Sequence, residues 1–145
     1  MKAPIVAILL SLASSTPVLA ATFVYVSNAE DGDIGMYALQ ADGSLQPGPR
    51  VAAEKIVMPM AVSPDKRFLY AASRSKPFSV HAYSIDRGTG ALTLLATSPL
   101  AESFPYISVD RTGRYLFGAG YGAALISVNS IGADGRVAAE PLQVN

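Results

Sequence analysis

From Ala21 onward the chain is a succession of short apolar runs rich in Val, Ile, Leu, Tyr and Phe, at residues 22–27, 60–63, 67–72, 78–85 and 91–95. Gly, Pro and Asp separate them. No window of helix length repeats apolar residues at the third and fourth positions, so the pattern predicts strands joined by turns. Where third strands of a unit align, Ile34, Val80 and Ile126 share one face with Met36, Ala82 and Val128, while Tyr37, Tyr83 and Asn129 share the other with Leu39, Ile85 and Ile131. A sheet with one wet face alternates apolar with polar residues. Apolarity on both faces predicts sheets that are sandwiched between neighbours.

The runs repeat at about forty-six residues. Phe23-Val-Tyr-Val, Phe68-Leu-Tyr-Ala and Tyr115-Leu-Phe-Gly align, and so do Pro59 with Pro105 and the turns at Asp42-Gly43, Thr89-Gly90 and Asp134-Gly135. Each unit reads as four short antiparallel strands, which is the anatomy of a β-propeller blade. The expected fold class is therefore all-β, with propeller units at approximately 21–56, 57–103 and 104–145. That makes about two and a half to three blades, fewer than the four to eight with which propellers close. The first unit starts at its second strand, so the expectation is the N-terminal portion of a longer propeller, a truncated gene or a fragment. Missing blades or self-association are expected to cover the apolar faces left over.

Residues 1–20 read as an export signal: Lys2 is the positive start, residues 5–13 are apolar, and Val18-Leu19-Ala20 is a small-residue cleavage pattern. The apolar run is too short to span a bilayer, which takes about 20 residues. A buried amphipathic helix is the other reading. Export predicts a periplasmic location for a mature chain without a membrane anchor.

Composition narrows the chemistry. With no cysteine, the chain carries no disulfide, thiol nucleophile or Cys-ligated metal, and its one histidine excludes a His-rich metal site. Cleavage after Ala20 removes Lys2 and leaves ten basic against eleven acidic side chains, so no charge footprint for nucleic acid exists. No cofactor and no metal are expected. Residues 30–33 (Glu-Asp-Gly-Asp) lack the spaced ligands of a calcium loop and read as a solvated acidic turn. Gly118, Gly120 and Gly122 follow a strand but open no helix, which fails the dinucleotide-binding context.

The stretches Pro59-Met-Ala-Val-Ser-Pro-Asp-Lys-Arg-Phe-Leu-Tyr, Ser79-Val-His-Ala-Tyr-Ser-Ile-Asp-Arg-Gly-Thr-Gly-Ala-Leu-Thr and Ile107-Ser-Val-Asp-Arg-Thr-Gly-Arg-Tyr-Leu-Phe resemble the lactonase family of seven-bladed propellers. That family includes bacterial propeller-type 6-phosphogluconolactonases. The resemblance covers the whole mature chain and a little under half of a full-length member. It implies hydrolysis of a sugar-type lactone, a small-molecule substrate, with a non-catalytic exported propeller that binds a partner or small ligand as the alternative. The catalytic His, Glu and Arg that the family implies fall on blades after the third, beyond Asn145, so the catalytic residues are unknown here. Members carry an Asn-Tyr pair after the second strand of the third unit; here Tyr121 matches and Gly120 replaces the Asn. Export implies an unphosphorylated lactone, since a phosphorylated one is a cytosolic metabolite.

Propeller sites gather at one end of the central channel, which points to residues 28–33, 74–77 and 120–123 and to the connections at 55–58 and 102–104. Three substrate-binding candidates follow. Arg74 offers a fork-shaped cation for a carboxylate, a phosphate or an oxyanion, or is a solvated loop residue. Tyr121 offers a hydroxyl to substrate, or packs between blades. Asn28 contacts substrate, or caps a turn. His81 sits mid-strand with no acid or nucleophile pattern beside it and reads as structural or interblade.

Overall fold

The structure is a computed structural model that describes residues 21–145. The expected export leader lies outside the described residues. Among them the chain forms eleven strands and no helix: β1 (Thr22–Asn28), β2 (Asp33–Leu39), β3 (Leu45–Ala52), β4 (Val57–Val62), β5 (Phe68–Ser73), β6 (Ser79–Ile85), β7 (Leu92–Pro99), β8 (Tyr106–Val109), β9 (Tyr115–Gly120), β10 (Leu125–Ser130) and β11 (Gln143–Val144). They form three antiparallel meanders, in the orders β1-β2-β3, β4-β5-β6-β7 and β8-β9-β10-β11. The all-β propeller architecture read from the repeat is the one observed.

Turn chemistry sets the hairpins. Gly43, Gly90 and Gly135 take φ of +85°, +74° and +84°, the left-handed region that glycine enters without a Cβ clash. In β3, Pro47 and Pro49 cannot donate ladder hydrogen bonds, and β3 accordingly lies at the edge of its sheet with nearly every residue exposed.

Two apolar layers hold the sheets together. Leu69, Ala71 and Tyr83 of the second sheet pack with Ile34 of the first and with Val57. On its other face Phe68, Tyr70, Ala72, Val80 and Ala82 pack with Phe104, Ile107, Leu116, Ile131 and Val137 of the third. Gly118 makes room there, since a Cβ at that position would lie 2.5 Å from the Phe104 ring. Alternation along the strand sends successive side chains of β5 to opposite layers, and the second sheet is sandwiched as the two apolar faces predicted. Ile126 and Val128, which the pattern placed on an apolar face, differ: Ile126 is 56% exposed and Val128 half-buried, because no described sheet lies against that side of the third sheet.

Candidate functional site

The β1–β2 and β5–β6 turns meet the β3–β4 connection at one end of the sheets. Backbone bonds fix that end: Ile56 N donates to Ala29 O at 2.8 Å and Arg74 N to Ile56 O at 3.0 Å. Ser73 Oγ and Ser75 Oγ both donate to the Lys55 carbonyl, at 2.7 and 2.8 Å. Lys55 Nζ in turn donates to Glu30 O at 3.2 Å. Ile56 holds a φ of +58°, strained for a β-branched residue and worth about 1–3 kcal/mol, which the surrounding bonds must over-determine.

Arg74 reaches across two sheets at this end. It follows β5, its Nε donates to Ser103 Oγ in the β7–β8 connection at 2.9 Å, and one terminal nitrogen lies 3.8 Å from Met58 Sδ. The guanidinium is half-buried and keeps further N–H donors for a ligand. Ser103 and Met58 lie within the connections that the chain pattern assigned to this end, but their contact with Arg74 depends on how neighbouring sheets stack.

Asn28 and Tyr121 stand at turns of this same end but make no hydrogen bond to Arg74. Asn28 Nδ2 donates to Asp33 Oδ1 at 2.7 Å across the β1–β2 turn, and its carbonyl accepts from Gly32 N at 2.8 Å. Arg50 holds the same turn by ion pairs to Asp31 at 3.1 Å and Asp33 at 3.2 Å. Tyr121 is 81% exposed and lines a shallow depression with Pro105, Tyr106 and Ile126 on the uncovered side of the third sheet. Arg74, Asn28 and Tyr121 share no hydrogen-bond partner among the described residues.

A buried polar group stands behind the β3–β4 connection. His81 is 4% exposed, its Nδ1 lies 3.0 Å from Thr97 Oγ1, and its Nε2 lies 3.9 Å from Glu54 Oε2. Ser79 Oγ donates to that same Glu54 oxygen at 3.0 Å. Burial lowers the histidine's pKa and Glu54 partly opposes the shift. Tyr83, beside it, donates its hydroxyl to Ala52 O at 3.1 Å, and burial, then Glu54, push its pKa up to about 12. The serine, histidine and glutamate thus lie together, with Ser79 Oγ also 3.5 Å from His81 Nε2, so that serine and carboxylate face the same ring nitrogen while Thr97 takes Nδ1. It is no triad, since the acid of a triad holds the ring nitrogen opposite the nucleophile, and here that nitrogen meets Thr97.

The model of the family described as Lactonase, 7-bladed beta-propeller, matches residues 21–144. The chain belongs to this lactonase family. It is similar to the 6-phosphogluconolactonase of Enterobacter sp. strain 638, with 43% identity over 108 residues, 74% of this chain and 32% of the relative. The 6-phosphogluconolactonase of Pectobacterium carotovorum is 41% identical over 120 residues, 83% of this chain and 35% of the relative. The chain therefore spans about a third of the length of the curated relatives it matches. The crystal structure of the Pseudomonas aeruginosa periplasmic gluconolactonase superposes with a TM-score of 0.78 at 18% identity, over 84% of this chain and 36% of that one, which shows the shared fold.

Proposed function

We propose that these three sheets belong to a hydrolase that opens a sugar-type lactone to its hydroxy acid. The observation that carries the reading is Arg74: a guanidinium held by Ser103 and Met58 at the end where the β1–β2, β5–β6 and β7–β8 connections gather, in a chain above 40% identical to proteins called 6-phosphogluconolactonases. In lactone hydrolysis water adds to the ring carbonyl, the oxyanion collapses, and the ring C–O bond breaks with protonation of the leaving alkoxide. Arg74 is suited to bind an anionic group of the substrate or the developing oxyanion. The base and acid come from residues after Asn145, as the family resemblance implies.

We further propose export to the periplasm, on the strength of the leader-like residues 1–20, and with it an unphosphorylated substrate. One observation favours the alternative of a ligand-binding propeller: three groups at this end that could act as a base, Glu54, His81 and Glu102, are engaged with Ser79, Thr97 and the Ser103 N–H.

The test is hydrolysis of glucono-1,5-lactone and of its 6-phosphate by the reading frame that contains this sequence. Turnover of the unphosphorylated lactone, with KM raised about tenfold or more by Arg74→Gln, is expected, since a hydrogen bond to a charged group contributes about 1.5–3 kcal/mol. No turnover of either lactone overturns the hydrolase reading in favour of the binding one.

A further inference from the structure

The opposite end of the sheets carries a second concentration of charge. A cleft of about 410 Å³ opens there between the second and third sheets, lined by Arg67, Arg111 and Arg114 against the single carboxylate of Asp65, with Phe68 and Ile131 among its apolar lining. None of the three guanidiniums is consumed. Arg67 rests over the Phe68 ring at 4.9 Å, with one nitrogen 3.7 Å from Asp65 Oδ2, while the other Asp65 oxygen accepts from Ser63 Oγ at 2.6 Å and from Arg67 N at 3.1 Å. Arg114 rests over Tyr115 at 5.8 Å and spends only Nε, on Thr112 Oγ1 at 3.2 Å. Arg111 has no hydrogen-bond or ion-pair partner among the described residues.

Asp110, the carboxylate in the same turn, makes no ion pair with them and spends its oxygens on the turn itself. Its oxygens accept from Thr112 Oγ1 at 2.5 Å and from the backbone N–H groups of Thr112, Arg114 and Tyr115 at 2.8–2.9 Å. Asp65 and Asp110 against the three guanidiniums leave an excess of one positive charge at a cleft with apolar walls, where screening is weaker than in open water. Aromatic stacking under two of the arginines limits their rotamers and so lowers the entropy lost on binding.

We propose that this cleft is a binding site for a small phosphoryl or pyrophosphoryl dianion, held by forked contacts from Arg67, Arg111 and Arg114. The site is remote from Arg74 and does not depend on lactone chemistry. The probe is sodium pyrophosphate, titrated into the chain at constant ionic strength and followed by calorimetry and by the Nε–Hε resonances of the arginines. Saturable one-site binding is expected, with Arg67 and Arg111 resonances moving. Arg111→Gln, in an exposed turn, weakens binding about tenfold or more without moving the melting temperature, whereas Lys76→Gln at the other end leaves it unchanged. Heat without saturation, or equal loss in both variants, overturns the proposal. Binding to phosphatidylglycerol vesicles without binding to pyrophosphate overturns it as well, in favour of a membrane surface.

Discussion

Strands β5 and β9 occupy the same place in the repeat and fare differently. Every residue of β5 is buried, whereas β9 alternates, with Phe117 at 36% exposure in the position where Tyr70 is fully buried. The sequences are alike: Phe68-Leu-Tyr-Ala against Tyr115-Leu-Phe-Gly. What differs is the neighbour. The second sheet has the first on one side and the third on the other, and the third is covered on one side only. Repeated contacts say the same. The Phe23 ring lies where a Cβ on Gly90 would be, and the Phe68 ring where one on Gly135 would be, but Gly43 of the first sheet meets nothing within 4 Å. In this architecture a strand's burial is a property of the stack rather than of its own hydropathy.

The sharpest break of that comparison is a pair of truncations. Leu69→Ala empties a fully buried position and is expected to cost about 2–5 kcal/mol, while Phe117→Ala is expected to cost under about 1 kcal/mol. Urea unfolding of the chain from Ala21 to Asn145 measures both. An equal cost at Phe117 would show that the outer side of the third sheet is covered in solution, which light scattering would then identify as self-association or not.

The turn glycines give the next largest contrast. Gly43→Ala meets only the left-handed backbone penalty, about 1 kcal/mol. Gly135→Ala adds a collision with the Phe68 ring and is expected to cost roughly 1–3 kcal/mol more. Equal melting temperatures for the two variants would mean that the ring moves aside freely.

These contacts explain why the fold was so legible. A Gly turn and an aromatic one repeat earlier in the chain are a single packing unit, so both recur at the same period, and apolar residues at adjacent as well as alternate positions of β6 report two covered faces. The site was legible only in part. Position in a β5–β6 turn suffices to find Arg74, but Ser103 is its partner only because the third sheet stacks on the second. Nothing in the residue type announces the left-handed Ile56, since isoleucine is disfavoured there. Glu54, Ser79 and His81 meet through register between a connection and a strand. Tyr121 lies in the expected turn, beside Tyr106 and Ile126 on the side of the third sheet that no described sheet covers.

His81 sharpens the comparison through pH. Its environment favours the neutral ring, so its folded pKa lies below the ordinary value. The sign follows: the contribution to stability is complete above the unfolded pKa of about 6.5 and is lost as pH falls through the lower folded value. As the chain's lone histidine it gives one unambiguous Cε1–Hε1 resonance to titrate. Glu54→Gln removes the charge that opposes the shift and is expected to lower the pKa further. The charged and titratable groups that face the ring are Glu54 and Tyr83, so a pKa at or above 6.5 in the wild type would mean that water reaches the ring between the sheets.

The smallest effect concerns two tyrosines at equivalent places. Tyr25 of β1 donates its hydroxyl to the Gly90 carbonyl at 2.7 Å, a bond between the first and second sheets. Tyr70 of β5 is the copy one repeat later, and its buried hydroxyl has no partner among the described residues. Burial, then Asp65 and Asp134, push its pKa up to about 12, so it stays protonated with a donor unspent. An unmade bond inside a core costs about 1–3 kcal/mol, and removing the group removes that cost. Tyr70→Phe is therefore expected to raise stability or leave it unchanged, whereas Tyr25→Phe lowers it by about 0.5–1.5 kcal/mol. Loss of stability in Tyr70→Phe would show that the hydroxyl is bonded in solution, by water or by a shifted Gly135 turn. The two interfaces would then be equivalent in hydrogen bonding as well as in packing.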